Sequence, residues 1–152
     1  GLFLVLTFVG GCSGSTSGGI KIYRFQVLLL VIKAHVKRLT SPHRIVPTTF
    51  NGRPLPEDAA FAVLAFLTLF VATIAVSTVA LTFLGLDLVT SYSASVTAIT
   101  NVGPGLGPVI GPSGTFESLP ESAKFLLSFV MILGRLEIFT VLVAFDRDFW
   151  KA

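Results

Sequence analysis

Charge is what this chain has least of. Only 12% of its 152 residues are Asp, Glu, Lys or Arg, about half the share usual in a soluble domain. An ordinary soluble domain is thereby excluded, and 53% hydrophobic residues with a mean hydropathy of +0.85 point to lipid instead. Cysteine is nearly absent as well. The single Cys12 excludes an internal disulfide, and with only His35 and His43, both distant, no metal-ligand spacing exists, so the thiol reads as a small packing residue. The chain opens at Gly1 in mid-pattern, with no initiator Met, charged n-region or small-residue cleavage site, so it carries no readable targeting signal and reads as the C-terminal part of something longer.

The charges that do exist are clustered. None occurs from Ala59 to Leu86, a stretch long enough to cross roughly 30 Å of hydrocarbon at about 1.5 Å per residue. The net charge of +3 comes largely from Lys33, Lys37, Arg38, Arg44 and Arg53. Short basic segments beside membrane spans mark the cytoplasmic side, and this reading is preferred to a nucleic-acid patch.

With that orientation the chain can be walked. Leu2 to Val9 is apolar but too short to span, and Gly10 and Gly11 end it, as suits a re-entrant helix. Ile20 to Ile32 is mostly apolar yet carries Lys21, Arg24 and Gln26, so it should be buried in protein or face water, with the two cations turned into protein contacts. Pro42, Pro47, Pro54 and Pro56 then deny a long helix to the basic linker. Ala59 to Leu84 is a full span whose far end lies outside. Asp87 is the expected N-cap of a helix of about three turns that ends before Asn101 and is again too short to span. Pro108 to Ser122 reads as an outer loop, and Ala123 to Phe145 as a second span, with Arg135 and Glu137 deep inside it. The tail from Asp146 returns to the inner surface, where Trp150 suits the aromatic belt.

Two glycine-rich stretches occupy matching places in this plan. Residues 12–18 and 101–107 each follow a short apolar segment and precede a long one, with Gly14 aligned to Gly103 and Gly18 to Gly107 at an offset of 89 residues, the size of one repeat. A cation leaving water needs its hydration oxygens replaced, and backbone carbonyls can do so where the chain is extended and glycine keeps the axis clear. A short helix aimed at the site by its C-terminus adds about half a negative charge. Discontinuous apolar segments also suit a secondary transporter with a solute site near the midplane, although the repeats here are parallel, and a non-conducting structural subunit is a third reading. None of the three is an enzyme.

Three motifs carry a resemblance across the entire chain: residues 10–21, GGCSGSTSGGIK; residues 101–107, NVGPGLG; and residues 134–138, GRLEI. They closely resemble the Trk/Ktr/HKT potassium transporter family, in its TrkH-type membrane subunit. The resemblance implies an all-α integral membrane fold of pore-loop repeats, each a helix, pore helix, filter and helix, with four repeats around one ion path. It divides the chain into residues 1–38, the end of a third repeat with a broken inner helix; 39–58, a basic cytoplasmic linker; 59–145, the fourth repeat; and 146–152, a cytoplasmic tail. It implies that Cys12, Ser13, Gly14 and Ser15, with Asn101, Val102, Gly103 and Pro104, form two filter segments whose backbone carbonyls hold potassium, the transported ion. Arg135 matches the family's gating arginine below the filter. A homodimer in the bacterial inner membrane, regulated by a cytoplasmic nucleotide-binding (TrkA-type) subunit docking near Lys33 to Arg53, is implied too. No cofactor and no nucleic-acid partner are expected.

Overall fold

The computed structural model describes residues 18–41, 49–50, 53–111, 113–136 and 138–145. The first helix, α1 (Ile22–Thr40), starts after two residues of positive φ, Gly19 and Lys21, and then runs unbroken for 19 residues. The inner-helix break expected within residues 1–38 therefore does not fall between Ile22 and Thr40, and the expected boundary at residue 38 lies inside the last turn. The physical reason is in the side chains. No Pro or Gly occurs from Ile22 to Ser41, and Lys37 and Arg38 sit in the last turn, where cations favour the negative end of the helix dipole. Basic residues just ahead of the linker thus carry the helix to Thr40.

After α1, a two-residue antiparallel ladder pairs β1 (Thr49–Phe50) with β2 (Arg53–Pro54), the only strands among the described residues. The long helix α2 (Glu57–Phe83) follows. Its 26-residue stretch Asp58–Phe83, whose most apolar 18-residue window has mean hydropathy 2.6, is the one described helix long and apolar enough to cross a membrane. At about 1.5 Å per residue it is about 39 Å long, more than the hydrocarbon thickness. Only 22% of its most apolar window is buried within the chain, which separates it from the core helix of a soluble protein. Phe61, Val71, Val76, Val79 and Phe83 all face outward from it.

A helix C-cap with Gly85 at φ 93° reverses the chain. The Leu86 amide donates to the Leu81 carbonyl and the Gly85 amide to the Thr82 carbonyl, the paired bonds of a Schellman cap. The short helix α3 (Leu88–Thr100) then packs between α2 and α5 (Glu121–Leu136). Between α3 and α5 lie a four-residue helix, α4 (Gly107–Ile110), and a 3-10 turn at Phe116–Ser118, where a loop was expected. Helix α6 (Ile138–Phe145) follows α5, and Glu137 lies outside the described residues. The core gathers Phe66, Phe70, Ile74 and Leu81 of α2, Val96 and Ile99 of α3, and Leu127 and Val130 of α5. Helix α3 is thus the buried centre of the unit, although it is its most hydroxylated helix.

Candidate functional site

Asp87 starts α3 by accepting the Thr90 backbone N–H at 3.1 Å. Hydrogen bonds from the Thr90 side chain and backbone hold its carboxyl below the usual carboxylate value. From Thr90 to Thr100 every residue except Tyr92 is buried. Burying this many hydroxyls is tolerable only if each finds an acceptor, and the helix supplies them itself. Ser95 donates to the Ser91 carbonyl at 2.9 Å, Thr97 to that of Ser93 at 2.9 Å, and Thr100 to that of Val96 at 2.7 Å. Small residues with internally satisfied hydroxyls let α2 and α5 approach closely without exposing unpaired polar groups.

The end of α3 is built with equal care. Asn101 adopts the left-handed conformation (φ 55°, ψ 35°), which Asn tolerates better than most residues. Its amide donates to the Ala98 carbonyl at 3.1 Å, and the Val102 amide to the Thr97 carbonyl at 3.2 Å, a second Schellman cap. The helix therefore stops sharply, with the negative end of its dipole at the start of residues 101–105. Gly103 follows at φ 103°, with nothing within 4 Å of where a Cβ would stand. Glycine is needed there for its backbone conformation, and the space beside it is open.

Three bonds hold the loop to its surroundings. The Ser93 hydroxyl donates to the Leu106 carbonyl at 3.3 Å, so the pore-helix candidate grips the returning chain. The Gly105 amide donates to the Ile110 carbonyl at 2.7 Å, closing the turn into α4. The Asn101 side-chain amide donates to the Met131 carbonyl at 3.1 Å, tying the loop to α5. Helix α5 is itself held tight to α3, because a Cβ on Gly134 would collide with the backbone carbonyl of Ile99. Beside the loop a cleft of about 400 Å³ is lined by Thr97, Ala98, Gly103, Leu127 and Met131, among others.

Of the site residues expected from sequence, Asn101, Val102, Gly103 and Pro104 lie together directly after α3, with Val102 and Gly103 exposed. Cys12, Ser13, Gly14 and Ser15 lie outside the described residues. The end of their glycine-rich stretch is nevertheless seen, at Gly18, whose missing side chain leaves room for the Thr100 carbonyl and for Asn101. The two stretches thus meet. Arg135 is exposed near the end of α5, one turn beyond Met131, and forms no ion pair among the described residues. Arg24 is turned into protein contact as expected, with its guanidinium carbon 3.8 Å from the Phe66 ring centroid and a hydrogen bond to the Ile20 carbonyl at 3.3 Å.

Sequence reasoning missed Ser93 and Met131 as anchors of the loop. It quoted Gly134 only as part of a motif. A hydroxyl facing a glycine-rich return and an Asn directly after a helix were the available signals; a main-chain acceptor on another helix leaves none.

The comparisons with known proteins bear on this geometry. A family model described as "TrkH: Cation transport protein" matches residues 1–151. The Trk system potassium uptake protein TrkI of Halomonas elongata is 48% identical over 149 residues, covering 98% of this chain and 30% of the relative. The Trk system potassium uptake protein TrkH of Escherichia coli K12 is 37% identical over 150 residues, covering 99% of this chain and 30% of the relative. The crystal structure of the potassium transporter TrkH from Vibrio parahaemolyticus matches 98% of this chain and 31% of that chain, with a TM-score of 0.86 at 34% identity. The expected helical pore-loop architecture is borne out by that likeness. The chain spans about 30% of the length of the relatives it matches.

Proposed function

Because the chain belongs to the TrkH family of cation transport proteins, we propose that it supplies two segments of a potassium filter, residues 12–15 and 101–104, in a membrane protein of the relatives' length. The observation that carries this reading is the contact of Gly18 with the α3 end at Thr100 and Asn101. Two glycine-rich stretches 89 residues apart in sequence serve one ion path only if they are neighbours in space, and their ends are.

The chemistry follows from the α3 terminus. The helix presents its negative end to the loop, Asn101 fixes where the loop begins, and Gly103 leaves its inner side unobstructed. Carbonyls of Cys12, Ser13, Gly14, Ser15, Asn101, Val102, Gly103 and Pro104 replace water around potassium. Translocation is passive and not enzymatic, with potassium as cargo and no cofactor. Residues 1–38 and 59–145 act as the end of one pore-loop repeat and the whole of the next, joined by a cytoplasmic linker at 39–58 and followed by a tail at 146–152. Arg135 gates from below. The protein works as a homodimer in the bacterial inner membrane, crossing it several times, with a nucleotide-binding regulatory subunit on the basic cytoplasmic side.

The test is uptake by the full-length protein in a host that lacks potassium transport. Gly103→Ser and Gly14→Ser should each reduce potassium uptake or its selectivity over sodium. Wild-type uptake and selectivity in both variants would refute the assignment.

A further inference from the structure

The loop after α3 is tied to α5 by a single side chain, and the tie lands one helical turn from Arg135. Asn101 donates its side-chain amide to the Met131 carbonyl at 3.1 Å. The partner is a carbonyl, which can only accept, so the amide nitrogen must face it and no flipped orientation serves. Within α5 the same carbonyl accepts the backbone N–H of Arg135, four residues on. Its two lone pairs accommodate both donors. One oxygen therefore joins the first residue of the loop to the turn that carries the arginine.

We propose that Asn101 is the positioning residue that couples α5 to the filter, so that a displacement of the Met131–Arg135 turn is passed through its side chain to the start of the loop. The inference rests on the filter reading above. Three observations support it. Asn101 has no slack on its own side, because the Schellman cap fixes its backbone at φ 55°. Helix α5 has little slack on the other, because Gly134 lies against the Ile99 backbone. The compliant part is the loop beyond, where a Cβ on Gly103 would meet nothing within 4 Å. A shift in α5 thus moves residues 102–104 sooner than it bends α3. The residue type fits as well: Asn is among the few non-glycine residues that favour the left-handed conformation, and unlike Gly or Asp it carries a side-chain N–H to donate.

The experiment compares the full-length wild type with Asn101→Asp and Asn101→Gly in a potassium-transport-deficient host, measuring potassium uptake, potassium-over-sodium discrimination and the amount of folded protein in the membrane. Both variants keep the left-handed backbone and lose the donor. Discrimination should fall about fivefold in each, the worth of one net hydrogen bond. Adding Gly134→Ala to Asn101→Asp should then cost less than the two separate losses combined, because both loosen the same junction. Normal wild-type uptake with unchanged discrimination in both variants would overturn the coupling alone. So would a loss of uptake that tracks only the amount of folded protein. A wild type that takes up no potassium would overturn the filter reading and the coupling with it.

Discussion

Replacing Gly134 by Ala tests the α3–α5 junction on a sign and not only a size. In an unobstructed helix interior the change stabilises, because Ala is favoured over Gly by about 0.8–1.0 kcal/mol. At Gly134 a Cβ would stand 2.7 Å from the Ile99 carbonyl carbon and 2.9 Å from its Cα. Ordinary contact begins at 3.4 Å and the Ile99 carbonyl oxygen lies nearer still, so α5 must retreat by at least 0.7 Å, the difference from 2.7 Å. The obstacle is backbone and cannot turn aside as a side chain would. Such overpacking typically costs about 1–3 kcal/mol, and a collision this close belongs at the upper end. A retreat of 0.7 Å along the Asn101–Met131 bond would also lengthen it from 3.1 Å past hydrogen-bonding range, forfeiting about 1 kcal/mol more. The losses outweigh the propensity gain, leaving a net destabilisation of about 3 kcal/mol. Thermal unfolding of the purified full-length variant should show a lowered midpoint, and potassium uptake should fall with it. A midpoint equal to or above that of the wild type would refute the close packing of Gly134 on Ile99.

Other expectations follow from the same geometry. Gly18→Ala places a Cβ against the Thr100 carbonyl, so it should impair potassium uptake; wild-type uptake by this variant would show that the two stretches do not meet. The Asp87 carboxyl lies below its ordinary value of 3.8 because Thr90 hydrogen-bonds the charged form. A depressed folded value means that the ionised cap stabilises fully above pH 3.8 and is lost as pH falls through the lower folded value. The stability gap between wild type and Asp87→Ala should therefore be present at neutral pH and narrow in acid, and a gap that ignores pH would contradict the cap. Arg135→Ala should alter the open fraction in single-channel recordings and leave ion selectivity largely unchanged, because the residue lends no carbonyl to the loop; lost selectivity with intact gating would count against its gating role.

The legible parts of the fold were those set by local chemistry. An uncharged run from Ala59 fixed α2 to within two residues, since nothing in it could pay for leaving lipid. Asp87 and Gly103 bracketed α3, because a cap and a positive φ are properties of single residues. Helix α1 ends at Thr40, two residues beyond the expected boundary. Lys33, Lys37 and Arg38 stood out in the sequence by charge, and as side chains they are good helix formers near a C-terminus. The four residues of α4 are too few for periodicity to register against their Gly and Pro content. Asn101 was read for its carbonyl, and its side chain proved as informative, because its partner lies 30 residues away on another helix. Gly134 shows the same limit: a missing Cβ reveals its purpose only when the backbone it admits is in place.

The meeting of Gly18 with Thr100 also sets an order of assembly. The two residues are 82 positions apart, so the earlier glycine-rich stretch leaves the ribosome long before the surface that it packs against. At a synthesis rate of about 5–20 residues per second the wait is roughly 4–16 s. During that interval the earlier stretch has no α3 terminus to lie on. The packing of Gly18 on Thr100 is thus made only when the later helix arrives, and a delay in inserting α3 would postpone it.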